Sequence, residues 1–161
     1  MVDDGRDGQG EDRPGEGRFA NGEHRFPLRV HFEDTDLSGV VYHANYLRFM
    51  ERARSDMLRL AGVDQRATFE AGGGVYAVAE ARLRYLRPAR LDEALLVLSR
   101  VAQVRAAGVI IHQRVMRGRD MLVEAEVTAA LVAPNGRPRR QPPEWIAAFE
   151  KLTGQGEKPH A

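Results

Sequence analysis

"FPLRVHFEDTDLSGVVYHANYLRFMERARSDMLRLAG", residues 26–62, changes its hydrophobic period halfway along, and that change decides the fold. In "FPLRVHFED" (26–34), Phe26, Leu28, Val30 and Phe32 alternate with Pro27, Arg29, His31 and Glu33. A period of two predicts a half-buried strand. From Tyr46 onward the apolar residues Phe49, Met50, Ala53, Met57, Leu60 and Ala61 recur at spacings of three and four, widened by Leu47 and Leu58. That stripe predicts a helix buried along much of its surface, with Asn45 as N-cap and Gly62 as a left-handed stop. Between strand and helix lies a loop that gathers Asp34, Asp36, Gly39, His43 and Asn45 around Val40, Val41 and Tyr42.

Beyond the helix, "VDQRATFEAGGG" reads as a connector with room for one helical turn. The period then returns to two. Residues 75–88, 92–105, 107–118 and 120–134 read as four successive strands, with "RAAG" and "GRD" as the breaks that join hairpins. "PPEWIAAFEKLTG" opens with Pro and closes with Gly, as a terminal helix over about 142–152 would. The order strand, long helix, four strands makes an α+β domain in which one antiparallel sheet wraps one helix.

The domain is read as residues 25–152. Residues 1–24 are acidic, Gly-rich and poor in apolar side chains, so they are expected to be a disordered tail. Residues 153–161 are expected to be a flexible C-terminus. The N-terminus lacks the basic start and apolar run of a signal peptide. No apolar run approaches the ~20 residues of a membrane helix, so no membrane insertion is expected. The chain of 161 residues has no cysteine, which excludes disulfides, thiolate metal sites and a Cys nucleophile. A soluble cytoplasmic protein is the resulting expectation. A net charge of +1 offers no general attraction to nucleic acid, and the one basic loop, "NGRPRRQ", has no interleaved aromatics. His24, His31 and His160 share no ligand spacing with a carboxylate, so no metal site is expected.

"EDTDLSGVVYHANYLRFMERARSDML", with "YLRPARLDE" further on, resembles the hotdog-fold acyl-CoA thioesterases. The likeness is to the branch related to 4-hydroxybenzoyl-CoA thioesterase and associated with the Tol–Pal system. It covers about residues 26–150, and its specific part is the pattern D-x-x-G-V-V-Y-H-x-x-Y over 36–46. The resemblance implies a hotdog fold, with an antiparallel sheet around one central helix. It implies acyl-CoA hydrolysis without a cofactor, CoA being part of the substrate. It carries the family's catalytic carboxylate onto Asp36 and places the amide that polarises the thioester carbonyl near His43. It further implies a homodimer or tetramer, with the active site at an interface where two sheets join edge to edge.

The residue types suit that chemistry. A thiol leaving group titrates near ~8.5 and departs without a strong acid. The site then needs a group that attacks or activates water, and donors for the developing oxyanion. Asp36 can supply the first, and the unsatisfied amides of a helix start the second. Gly39, Val40, Val41, Tyr42, Asn45 and Tyr46 are the expected substrate-binding residues. Arg82, Arg84 and Arg87 are candidates for contacts to CoA phosphates. Plainer readings stand beside these: Asp34 and Asp36 bond their own loop as in Asx-turns, Glu51 forms a salt bridge, and His112 is an ordinary strand histidine. Hydrolysis of an acyl carrier protein thioester, and a non-catalytic acyl-binding or assembly module of the cell envelope, are the alternatives to acyl-CoA hydrolysis.

Overall fold

The computed structural model describes residues 12–153. Six strands and three α-helices follow the order β1 (Arg18–Ala20), β2 (Glu23–Arg29), α1 (Asn45–Leu60), α2 (Gln65–Glu70), β3 (Val75–Tyr85), β4 (Ala94–Val104), β5 (Gly108–Arg117), β6 (Asp120–Val132) and α3 (Pro143–Thr153). All strands share one antiparallel sheet in the order β1-β2-β4-β5-β6-β3. The chain therefore carries β3 across to the far edge before filling the middle with β4, β5 and β6.

Period two divides each strand between the sheet's faces. One face packs α1: Val97 of β4, Val115 of β5, and Val123, Ala125 and Val127 of β6 join Phe49, Met50 and Ala53 in a buried core. Full burial of such side chains stabilises by roughly 1.5–3 kcal/mol each. A second cluster joins the C-terminal half of α1, through Met57 and Leu58, to Val101, Ile111, Leu131 and the α3 residues Trp145 and Phe149. α3 thus covers the end of the same face that α1 leaves bare.

One buried polar chain crosses this core. Arg54 donates to Gln113 at 2.9 Å, and Gln113 donates to Met50 O at 3.1 Å and to Ser99 Oγ at 2.9 Å. These bonds satisfy the polar atoms that helix and sheet bury together.

The α+β architecture follows the sequence reading, with three corrections. The tail does not extend to residue 24, because β1 and the start of β2 already belong to the sheet. Asn21 and Gly22 both take positive φ, 54° and 75°, and close this hairpin. Its anchor is buried: His24 and Asp56 of α1 share a 2.6 Å hydrogen bond, and the Gly17 amide donates to the same carboxylate at 3.0 Å. The expectations for residues 1–11 and 154–161 lie outside the described residues. Second, the first strand stops at Arg29, and Phe32–Asp34 form a single 3-10 turn. Third, Ala44 holds the N-cap position of α1 without a side-chain bond, and Asn45 is the first helical residue. Its amide group is used elsewhere, donating to Asp34 O at 2.9 Å.

Candidate active site

Asp36 sits on a narrow hairpin between the 3-10 turn and α1. Thr35 and Val41 face one another as an isolated antiparallel bridge. Within it the Asp36 amide donates to Val40 O at 3.0 Å, and the Gly39 amide donates to Asp36 O at 3.0 Å. Gly39 has φ of 80°, a left-handed conformation that the tight turn requires. The base of the hairpin is tied down by Asp34. Its carbonyl accepts from the Tyr42 amide at 2.9 Å as well as from Asn45, and its carboxylate accepts from the His31 amide at 2.7 Å. Asp34 is thereby structural.

The Asp36 carboxylate is exposed and held from one side. Ser38 donates to Oδ1 from its hydroxyl at 2.5 Å and from its amide at 2.8 Å. The hydroxyl bond first, then the amide bond, and more weakly the nearby His43, hold this carboxyl below the usual aspartate range. The group is an anion at neutral pH.

His43 lies just before α1, with its ring tilted on Tyr42 at 4.6 Å and edge-on to Tyr85 at 6.1 Å. Its carbonyl accepts from the Tyr85 hydroxyl at 3.0 Å. Among the described residues, no acceptor takes the amides of His43 and Ala44. Helix starts carry such unsatisfied donors and roughly +0.5 charge in aggregate. An anionic oxygen, a constrained glycine and free donors therefore follow one another along residues 36–44, where the chain enters the helix.

The other expected residues divide. Tyr42 is exposed and Val40 half-buried beside this hairpin. Val41 and Tyr46 lie beneath it rather than on it, 4% and 3% exposed. The Val41 amide donates to Ala89 O at 2.8 Å, and the Tyr46 hydroxyl accepts from the Ala89 amide at 3.0 Å. Their role is to support the loop from the core. Burial also pushes the Tyr46 hydroxyl up, which keeps it protonated.

Arg82 and Arg84 are not brought to the loop. They pair with Glu126 and Glu124 across the sheet, whereas Leu83 between them packs on the core, so the two arginines face away from α1. Each candidate arginine has an acidic neighbour: Arg82 to Glu80 at 2.5 Å, Arg84 to Glu124 at 3.0 Å, and Arg87 to Asp120 at 2.7 Å. That outer face forms an open depression of about 670 Å³, also lined by Glu23, Arg100, His112 and Arg114. Most of its charges are paired, Arg100 meeting only His112 Nδ1 among the described residues, at 3.3 Å, and it lies on the wrong face of the sheet for the loop. His112 bonds Glu126 at 3.1 Å there. Glu51 accepts from Arg54 at 2.8 Å, the salt-bridge arrangement. Together with Leu58, Tyr76, Val78 and Ile111 these two line a slot between α1 and β3. No group of three or more His, Cys, Asp or Glu among the described residues is placed to hold a metal ion. No described helix is long and apolar enough to cross a membrane.

Two residues here escaped the sequence reading. Ser38 follows Asp36 by two positions, the spacing of an ST or Asx turn, which is a legible signal. Tyr85 opens the "YLRPARLDE" stretch, but it arrives from a strand 42 residues away, and no local spacing ties it to the loop.

Comparison with known proteins identifies the family of the chain. The profile of the thioesterase-like superfamily matches residues 30–149. An acyl-CoA thioesterase YbgC of Haemophilus influenzae is 41% identical over 128 residues, 79% of this chain and 94% of that protein. An acyl-CoA thioester hydrolase YbgC of Escherichia coli is 38% identical over 129 residues, 79% of this chain and 96% of that protein. The crystal structure of a probable thioesterase from Bartonella henselae superposes with a TM-score of 0.70 at 39% identity, covering 74% of this chain and 99% of that one. The chain belongs to the thioesterase-like superfamily and has its hotdog fold.

Proposed function

We propose that this thioester hydrolase cleaves acyl-CoA to a free acid and CoA, with Asp36 as the carboxylate that drives the reaction. The observation that carries the reading is the ionised Asp36 carboxylate, clamped by Ser38 beside the unclaimed amides at the start of α1. The named activities of the two YbgC relatives support the substrate class.

In this reading the thioester carbonyl oxygen accepts from the amides at His43 and Ala44, which strengthen their hold as negative charge develops. Asp36 takes a proton from the attacking water, or itself attacks the carbonyl carbon to form a mixed anhydride that water then opens. Either way the C–S bond breaks and CoA departs as its thiolate. Gly39 leaves the approach to Asp36 open, since a Cβ built on it meets nothing within 4 Å.

The active unit is a homodimer. Among the described residues β3 pairs with β6 along one side only, which leaves an edge of 11 residues. Val75, Val78 and Tyr85 on it are 43–50% exposed. A long apolar edge is a template for pairing with another strand, and a second copy's β3 completes it. Because Tyr85 ends this strand and touches His43, edge-to-edge pairing brings the partner to the rim of the site. The cysteine-free chain suits a cytoplasmic setting.

The test is release of free thiol from a panel of short, long and aromatic acyl-CoAs by the native protein and by Asp36→Asn. Turnover by the native protein and a loss of ~100-fold or more in the folded variant is the expected outcome. Full activity in the variant would move the chemistry elsewhere, with Glu51 the next residue to change.

A further inference from the structure

We propose that Tyr85 is a positioning residue for acyl transfer: its hydroxyl holds and polarises the peptide between His43 and Ala44, so that the Ala44 amide is aimed at the substrate carbonyl. The inference rests on the reading of the α1 start as the donor to that carbonyl.

The geometry is specific. The Tyr85 hydroxyl donates to His43 O at 3.0 Å. That carbonyl and the Ala44 N–H are the two ends of one planar peptide. A hydrogen bond accepted at the oxygen draws electron density from the nitrogen and makes the N–H a better donor. It also fixes the plane's orientation, which a loop peptide just outside the helix ladder otherwise lacks. The Ala44 amide has no acceptor of its own among the described residues, so the polarised donor is left for a ligand.

Tyr85 is itself held firmly. It is the last residue of β3 and pairs with Val123 of β6. Just beyond it the amides of Leu86 and Arg87 both donate to Leu122 O, at 2.8 and 3.1 Å. Its ring stands edge-on to Tyr46 at 5.8 Å, and Tyr46 is fixed in the core through the Ala89 amide. The sheet thus reaches across to the loop through one rigid side chain. A purely packing role would need the ring and not the hydroxyl.

Tyr85→Phe separates the two. It keeps the ring and removes one net hydrogen bond, which corresponds to a fall in kcat of about 5- to 10-fold. KM is expected to stay at its native value, and the melting temperature to fall by no more than about 2–4 °C, the scale of one lost hydrogen bond. In the ¹⁵N–¹H spectrum the Ala44 amide is expected to move upfield in nitrogen, while amides remote from the site, such as Gly118, stay in place. An Ala44 resonance that does not move, or a kcat equal to the native value, overturns the proposal. Asp36→Asn, assayed alongside, tests the underlying reading separately. If that variant keeps full activity the catalytic assignment falls, and the Ala44 resonance still decides the role of Tyr85 on its own.

Discussion

Ser38 donates twice to a single oxygen of Asp36, from its hydroxyl at 2.5 Å and from its amide at 2.8 Å. The second carboxylate oxygen accepts no bond from the described residues, on an exposed side chain. Bonds to the charged form favour it, so the folded-state pKa lies below the ordinary aspartate value of about 3.9. The sign follows directly. These bonds favour the folded state above the unfolded pKa, and that contribution is lost as pH falls through the folded pKa.

Activity that depends on ionised Asp36 is therefore flat on its acid side from neutral pH down past pH 5. Ser38→Ala removes the hydroxyl bond and shifts the acid limb of kcat/KM upward, toward the ordinary aspartate value. Profiles of kcat/KM against pH, taken where circular dichroism shows both proteins folded, check this. Superimposable acid limbs would mean that Ser38 does not tune Asp36.

Asp56 is 1% exposed and serves both His24 and Gly17, with Arg59 at 3.2 Å on its other oxygen. Removing one member of a buried pair strands the other without its partner. Asp56→Ala is predicted to destabilise by about 3–5 kcal/mol, read as a lower urea midpoint at unchanged slope. The β1–β2 hairpin is expected to lose protection from hydrogen exchange first. A loss under about 1 kcal/mol, the scale of an ordinary exposed pair, would show that the hairpin is held by other means.

Gly108 opens β5 against the backbone of β6. A Cβ there would stand 2.3 Å from Ala129 O, whereas one on Gly15 meets nothing within 4 Å. Gly108→Ala is predicted to cost about 1–3 kcal/mol as overpacking against an unyielding carbonyl. Gly15→Ala should leave the thermal midpoint unchanged. Equal midpoints for both variants would refute the steric account.

Val78 is 50% exposed on the β3 edge. Val78→Asp places a charge where a second copy's strand is proposed to lie, and burying an unpaired carboxylate is strongly unfavourable. Light scattering is expected to show a dimer for the native protein and a monomer for the variant. Thiol release should fall together with the dimer. A variant that stays dimeric with native activity would place the interface elsewhere.

Much of the fold was legible because period is local. Alternation in β4, β5 and β6 and the three-and-four spacing of α1 were read within a residue or two of their ends. The hairpin at the N-terminus was legible too, in the Asn21-Gly22 pair, but its acidic, Gly-rich surroundings suggested a tail. What outweighed that composition was distant: burial of His24 against Asp56, 32 positions along the chain. Asn45 has the residue type of an N-cap, yet the carbonyl of Asp34 competes for its side chain and wins. The alternation of Arg82 and Arg84 showed that they share a face; which face it was depended on Leu83 entering the core.

By itself, then, the sequence determined the element order, the hairpin loop with its acid, its glycine and its following helix start, and membership of the family. These depend on neighbours along the chain, where side-chain period, turn geometry and helix termini are set. Only the tertiary structure decided that Val41 and Tyr46 support the loop from within, and that Tyr85 reaches the His43 carbonyl. The last of these relations joins residues 42 positions apart. Strand order β6-β3 brings them together, and strand order is chosen by burial of whole faces, a property of the packed chain that no local spacing encodes.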